Sequence, residues 1–238
     1  RAACNDTTDD RDGGGCPVPS DCDDGSACTV DDCVGTVCVN ECRGAISSFP
    51  YTETFESGLG AWSNVGGDVF DWTRDANGTP SSNTGPSGDH TTGSGFYMYI
   101  ETSSPRVQGD FAIFEGPCLD LTATSTVDLT FWYHMFGATI GTLDVEVSDD
   151  CTNWSNVWSL SGNQGNSWTQ ANVNLNAYAG SVVRVRFIGT RGSSFTGDIA
   201  IDDISVDAAG IPCFGDPDCD DSDACTVDAC VGNLCQNT

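Results

Sequence analysis

Residues 182–190 read VVRVRFIGT, and together with VDLTFWYHMFG at 127–137 and DIAIDDISV at 198–206 they decide the fold class. In the first stretch Val183, Val185 and Phe187 fall on one face of an extended chain, while Arg184 and Arg186 fall on the other. That period of two is the signature of a strand with one buried face. Working outward, β-branched and aromatic residues recur in YTETFES (51–57), DVFDWTR (68–74), GFYMYIE (95–101), DFAIFEG (110–116), GTLDVEVS (141–148) and NVWSLS (156–161). Clusters of glycine, asparagine, serine or proline bound these runs, and no stretch sustains a helical period. Many short strands joined by turns predict an all-β domain, a jelly-roll β-sandwich over residues 47–208.

The flanks are different. Cys16, Cys22, Cys28, Cys33, Cys38 and Cys42 are separated by five, five, four, four and three residues, and Cys213, Cys219, Cys225, Cys230 and Cys235 by five, five, four and four. The residues between also correspond, DCDDGSACTVDDCVGTVC at 21–38 against DCDDSDACTVDACVGNLC at 218–235, so the chain contains one unit twice. Neither copy has the large apolar side chains to hold itself by burial, and each bridge of this loop size contributes about 2 to 4 kcal/mol. The expected organisation is an acidic Gly/Asp-rich segment (1–15), a disulfide-rich, loop-dominated repeat (16–46), the sandwich (47–208) and a second repeat one cysteine short (209–238).

Fourteen cysteines in 238 residues indicate an oxidising compartment, and so a secreted or extracellular-surface protein. Zinc is disfavoured, because no two cysteines are closer than three intervening residues and there are only two histidines. All eight basic residues are arginine, against 35 acids and a net charge of −27, which excludes nucleic acid and anionic membrane as electrostatic partners. No apolar run approaches the roughly 20 residues of a transmembrane helix, so direct membrane insertion is not expected. The start at Arg1, with no apolar signal segment, reads as a mature or excised portion of a longer precursor.

FPYTETFE (49–56), FDWTR (70–74), TPSSNTGPSGDHTTGSGFYMYIE (79–101), FWYHMFGATIGTLDVEV (131–147), WSLSGNQGNSW (158–168) and GDIAIDDISV (197–206) resemble successive blocks of the MAM domain, known from receptor phosphatases, neuropilin-like receptors and meprin-like proteases. The resemblance runs through nearly all of residues 49 to 206. It implies a jelly-roll sandwich used for extracellular adhesion, oligomerisation or accessory binding. The CTVDDC and CTVDAC cores similarly resemble the "CTDC" repeat of extracellular matrix and bacterial surface proteins, which implies a structural role. Animal MAM domains usually carry a cysteine just before the FWYHM-like strand, where this chain has Val127 and Asp128. With Cys118 and Cys151 the two cysteines of the central domain, a bridge between them is the simplest expectation.

Related jelly rolls imply a structural calcium ion where acids of the first strand, a loop and the last strand meet. By motif these are Glu56, Asp89 and Asp202, with the Thr91 carbonyl as an addition; the alternative is that Asp202 and Asp203 only cap or solvate a strand end. Further carboxylates stand on tight loops at Asp9, Asp10 and Asp12, at Asp21 and Asp23, and at Asp218 and Asp220. Hard oxygens spaced by glycine suit calcium, and equally make a solvated acidic surface.

Catalysis is not expected. No G-x-S-x-G elbow, H-E-x-x-H helix or P-loop occurs, His90 lies in a glycine-rich loop, and His134 reads as a packed, hydrogen-bonded histidine. The tryptophans at 62, 72, 132, 154, 158 and 168 could line a sugar platform, although most lie in strand patterns that favour packing. Asn5, Asn77 and Asn153 begin N-x-S/T sequons, possible glycosylation sites.

These features lead to an extracellular structural or adhesive protein. Cys4 has no place in the repeat spacing, while the second repeat lacks a sixth cysteine because the chain stops at Thr238. Cys4 could complete a neighbour's repeat as an intersubunit disulfide, making a head-to-tail filament of identical subunits; alternatively the chain is one unit of a longer tandem polypeptide. The competing reading is a glycan- or protein-binding accessory module of a larger secreted or surface protein.

Overall fold

The computed structural model describes residues 45–210, together with residues 30–34, 37–41, 219, 228–231 and 234–237. Two antiparallel sheets form the central domain. One runs β10 (Ser155–Ser161), β9 (Thr142–Ser148), β12 (Val182–Thr190), β7 (Phe111–Asp120) and β4 (Ser63–Asn64). The other runs β11 (Thr169–Asn174), β8 (Thr124–Met135), β13 (Ile199–Gly210), β6 (Phe96–Ile100) and β5 (Thr73–Ala76), with β3 (Tyr51–Glu53) paired to the far half of β13. The jelly-roll β-sandwich expected from the strand pattern is what forms.

The alternation in VVRVRFIGT sets the layers as expected. Val183, Val185 and Phe187 are buried between the sheets, and Arg184 and Arg186 lie on the outer face. On β8, Val127, Leu129, Phe131, Tyr133 and Met135 point to the same core. Trp62 stacks on Phe114 and tilts against Phe187, both at 5.4 Å, and Phe131 meets Phe187 edge-on at 4.8 Å. Each such ring contributes about 2 to 3 kcal/mol by burial, before any gain from ring geometry. Gly116 leaves room for this ring, since a Cβ there would lie 3.0 Å from Trp62.

Two strand readings differ from expectation. DVFDWTR is extended as a paired strand only from Thr73, because the Asn64 side chain takes the partner's place: its Nδ2 donates to Trp72 O at 3.0 Å and its Oδ1 accepts from Trp72 N at 2.9 Å. TQANVN (169–174) was not among the expected strands, yet it forms β11 on the edge beside β8, with Ala171 and Val173 inward. The sandwich also reaches slightly past residues 47–208: Ile46 bridges Leu119, and β13 continues to Gly210.

Each repeat contains a two-stranded hairpin, β1 (Val30–Val34) with β2 (Val37–Glu41) and β14 (Asp228–Val231) with β15 (Leu234–Asn237). The registers correspond, Cys33 opposite Cys38 and Cys230 opposite Cys235. Facing cysteines are not thereby bonded, since Cys235 is joined to Cys219. Cys33, Cys118, Cys151 and Cys230 are disulfide-bonded as well. The expected Cys118–Cys151 pairing is not among the bridges placed between two described residues, where Cys219–Cys235 stands. The side chains of Cys4, Cys16, Cys22, Cys28, Cys38, Cys42, Cys213 and Cys225 lie outside the described residues, as do Asp9, Asp10, Asp12, Asp21, Asp23, Asp218, Asp220 and Asn5. Among the described residues no helix is long and apolar enough to cross a membrane.

Candidate functional site

GFYMYIE is buried almost without interruption because both of its faces are covered. Met98 and Ile100 face the core, while Tyr97 and Tyr99 form a second, outer cluster with Ala200 and Trp168. Residues 77–95, which join β5 to β6, run over this outer face as a strap. Tyr97 Oη donates to Asn77 O at 2.9 Å, Asp198 N to Thr84 Oγ1 at 2.8 Å, Gly85 N to Phe136 O at 3.1 Å and Trp168 Nε1 to Gly88 O at 3.0 Å. The His90 ring then stacks on Trp132, centroids 3.6 Å apart.

The strap ends against an irregularity in β13. The register with β8 shifts between Asp202 and Ser205, and Asp203 has φ of 45°, a left-handed conformation that aspartate tolerates better than most residues. The bulge turns two consecutive acids toward the strap. Asp202, 1% exposed, accepts His90 N at 2.9 Å on Oδ2 and Asp203 N at 2.8 Å on Oδ1. Asp203 Oδ2 bonds His90 Nδ1 at 2.6 Å and accepts the Thr91 hydroxyl at 2.5 Å. Burial, with the neighbouring charges of Asp203 and Asp89, pushes the Asp202 carboxyl up to about 7 despite the N–H donors it accepts.

Asp89 is also buried and has the opposite fate. Burial alone would raise it, but N–H groups of Thr92 (2.9 Å) and Gly95 (2.7 Å) and the Thr92 hydroxyl hold it below the usual carboxylate range. Glu56, expected on a strand, reaches the same place from the turn that follows β3, its Oε1 accepting Phe96 N at 2.9 Å. A Cβ on Gly95 would lie 2.2 Å from Glu56 Oε1 and 2.9 Å from Asp89 Oδ2, so the two carboxylates flank this glycine closely.

The three acids expected to share an ion are thus brought to one end of the strap. In kind, their oxygens suit a hard cation. In arrangement, each is drawn onto N–H donors, and among the described residues no three His, Cys, Asp or Glu side chains form a ready cluster for a metal. Thr91 enters through its hydroxyl, on Asp203, rather than as the expected carbonyl ligand.

Sequence reasoning missed Arg74 as part of this site, and named Asp203 only as a cap for a strand end and Trp132 only among the tryptophans. Arg74 clamps the turn after β3, donating from Nε to Phe55 O at 2.6 Å and from Nη2 to Glu56 O at 2.9 Å, with its guanidinium 3.4 Å above the Phe96 ring. The usable signal was the doubled acid in IDDIS, where a period-two strand cannot bury both residues without a bulge. The Thr91 hydroxyl goes to Asp203 and not to the imidazole. His134 is packed as expected, with Nε2 3.1 Å from Asn166 Oδ1 and burial holding it down to about 4.

The outer face of the five-stranded sheet is built differently. Arg184 Nη1 donates to Glu115 Oε1 at 2.8 Å, and Arg186 donates from Nε and Nη2 to Glu146 Oε2 at 2.8 and 2.6 Å. The Arg186 guanidinium also lies 4.0 Å over the Trp154 ring, and Asn156 Nδ2 reaches Asp144 at 3.2 Å. Trp62 and Trp72 are core residues and Trp158 of β10 packs against the same core, leaving Trp154 as the tryptophan of this face. Of the sequons, Asn77 and Asn153 are exposed, the latter with Nδ2 donating to Asp150 at 2.7 Å.

The family model for the MAM domain, meprin/A5/mu, matches residues 54–214. The MAM domain-containing glycosylphosphatidylinositol anchor protein 1 of Gallus gallus is 44% identical over 142 residues, covering 57% of this chain and 15% of that protein. Protein 2 of the same name from Mus musculus is 39% identical over 149 residues, covering 57% and 16%. The chain therefore spans about a sixth of the length of these relatives. Among solved structures, the K1 cleaved adhesin domain of Lys-gingipain from Porphyromonas gingivalis W83 superposes with a TM-score of 0.51 at 22% identity, covering 68% of this chain and 100% of that one.

Proposed function

The chain belongs to the MAM family, and on that premise we propose that it is an adhesion-type extracellular module that presents a rigid binding surface. The observation that carries this reading is the outer face of the five-stranded sheet, where Arg184 is paired with Glu115 and Arg186 is held between Glu146 and the Trp154 ring. Paired charges and an aromatic ring on a strand scaffold offer fixed donors, acceptors and a stacking surface without a large local charge. A glycan or a surface protein fits that chemistry. A glycan array and a pull-down against surface ectodomains, run with wild type and with Trp154→Ala and Arg186→Ala, test it. Binding that both substitutions weaken tenfold or more supports the face as the contact, and binding indifferent to both removes it.

The calcium reading is part of the proposal. Glu56, Asp89 and Asp202 would hold the ion, which would tie the strap to the first and last strands and neutralise the crowded carboxylates. Melting in chelator against added calcium tests this: a rise in Tm that Asp89→Ala abolishes supports it, and an unchanged Tm sinks it.

The finer assembly reading is a protomer of a head-to-tail, disulfide-linked surface filament, and it rests on Cys4 having no place in the repeat spacing. On a non-reducing gel it requires a ladder that collapses on reduction and that Cys4→Ser removes. A single monomer band under both conditions rejects it. Attachment at the surface of a cell, as the names of the relatives describe for those proteins, belongs to the same reading.

A further inference from the structure

The exposed large apolar side chains of the described residues, Val69, Val107 and Phe195, stand on three different loops at one end of the sandwich, where β6 and β12 finish and β7 and β13 begin. Val69 is 58% exposed and Val107 61%. The loops that carry them are tied together. Val69 N donates to Phe111 O at 3.0 Å, Gly109 N to Arg191 O at 3.1 Å and Arg191 N to Asp110 O at 2.8 Å, while Thr102 Oγ1 lies 3.0 Å from Phe195 O. Between the first two loops is an open cleft of about 260 Å³, lined by Val69, Phe70, Pro105, Arg106 and Asp110. Apolar side chains clustered in the open on a fixed frame mark a surface that meets another molecule.

Arg106 decides what the cleft takes. Its guanidinium lies 4.4 Å over the Phe70 ring, and its Nε is buried with no hydrogen-bond partner. Arg74, Arg184, Arg186 and Arg191 each donate to a carbonyl or a carboxylate, whereas among the described residues the Arg106 guanidinium has no such bond. Asp110 lines the same cleft, but its Oδ2 is turned to Val107 N at 2.7 Å. In a chain of 35 acids and eight arginines, a guanidinium left unspent beside bare valines fits a carboxylate that has an apolar neighbour.

We propose that this end of the sandwich docks a second copy of the chain, whose repeat brings its Thr-Val-Asp core (29–31 or 226–228) to the cleft, the aspartate on Arg106 and the valine against Val69 and Val107. Such a contact rests on the assembly reading above only in that the partner is another copy, and it needs no cysteine. Both repeats join the sandwich at its other end. Ile46 bridges Leu119, near the finish of β7, and Gly210 pairs with Thr124, at the start of β8. The strand from Phe111 to Leu119 spans about 26 Å, so a copy's repeats are attached well away from its own cleft and within reach of a neighbour's. Charge agrees. Residues 209–238 hold six aspartates and no basic residue, and residues 16–46 hold six acids against Arg43. The net −27 sets copies against one another at long range, but at about 0.15 M salt the Debye length is about 8 Å, and the contacting groups decide. A contact between two different ends does not close on itself, and repetition lines copies up head to tail.

The test is sedimentation velocity of the full chain carrying Cys4→Ser, in about 0.15 M salt with chelator, so that neither a disulfide ladder nor bridging calcium contributes. The sedimentation coefficient should rise with concentration. The association constant should fall about tenfold or more in Arg106→Gln, in Val107→Ser and in the pair Asp31→Asn with Asp228→Asn. Val107→Ser changes no charge and alters an exposed side chain, so neither repulsion nor misfolding accounts for its loss. A single monomer boundary up to about 1 mM overturns the proposal, as does association indifferent to any one of these changes. A peptide of residues 29–32, TVDD, capped at both ends and titrated by NMR, should shift the amides of Val69 and Val107 in the Cys4→Ser chain and not when Arg106→Gln is added. Peptide binding to a chain that stays monomeric would assign the cleft to another protein's acidic segment and overturn the second copy as its occupant. Because Cys4 is absent from every arm, failure of the disulfide ladder does not touch this contact.

Discussion

On the outer face of the five-stranded sheet, Glu115 and Glu146 each meet an arginine, at 2.8 and 2.6 Å; on that of the six-stranded sheet, Asp198 and Asp202 lie under residues 77–95 with no ion pair among the described residues. The same functional group is handled in two ways. With eight arginines against 35 acids, most carboxylates of this chain cannot find a cation of its own. On the open face, strand alternation puts Arg184 and Arg186 on the side that carries Glu115 and Glu146, and the face stays ordered and partly open. Where no arginine meets the acid, N–H donors and protons are left to carry the charge, and the covered face becomes the one that responds to conditions.

The largest expected effect is on the covered face. Asp202 is raised from the ordinary aspartate value to about 7, so its contribution is complete below about pH 4 and vanishes as pH rises through 7. In chelator, the stability of Asp202→Asn relative to wild type should increase by on the order of 4 kcal/mol from pH 4 to pH 8. The variant comparison is needed because His134, lowered to about 4, works in the opposite sense: its contribution is complete above pH 6.5 and is lost as pH falls toward 4. Urea denaturation at each pH reads the difference. A flat difference would mean that Asp202 already has a cation, and the contrast between the faces would disappear.

A smaller effect separates the two faces by their tryptophans. Trp168 touches Tyr97, His90 and His134 edge-on and donates to Gly88 O, so Trp168→Ala should cost about 3 kcal/mol, with strap amides losing protection from exchange. Trp154 lies over a single guanidinium, and Trp154→Ala should cost less than about 1 kcal/mol. Equal losses would show that the open face is as much a part of the packed structure as the covered one.

The sequence made the open face legible and the covered one only half so. VVRVRFIGT alternates, and alternation alone places Arg184 and Arg186 outward. GFYMYIE does not alternate, and that lack was the sign of a second covering layer, but nothing local in TPSSNTGPSGDHTTGSG says that this segment supplies it. The family resemblance named Glu56, Asp89 and Asp202, and these do gather at one end of the strap. It did not reveal that N–H groups already bond Glu56 and Asp202, because those contacts join residues 40 and 112 positions apart, whereas the donors to Asp89 come from its own loop. β11 was missed for a plainer reason: an edge strand beside solvent needs only two inward residues, and its four polar ones read as a loop.

The smallest effect bears on whether the open face is rigid enough to bind anything. Arg186 and Glu146 are each 19% exposed, and the guanidinium is held from its other side by Trp154, so loss of rotamer freedom is shared between two contacts. Arg184 is 33% exposed, bonds Glu115 through one nitrogen, and leaves its Nε without a partner. A double-mutant cycle with Arg186→Met and Glu146→Gln should give a coupling of about 1 kcal/mol, and the corresponding cycle at Arg184 and Glu115 about half of that. High salt should reduce the second coupling more than the first, since screening acts most on the more exposed pair. Because the two bonds that Arg186 makes to Glu146 both end on Oε2, Oε1 stays available to a ligand hydroxyl or amide while the pair remains intact. If both couplings were zero the charges would move independently, and a face of mobile charges is a solvated surface rather than a binding array.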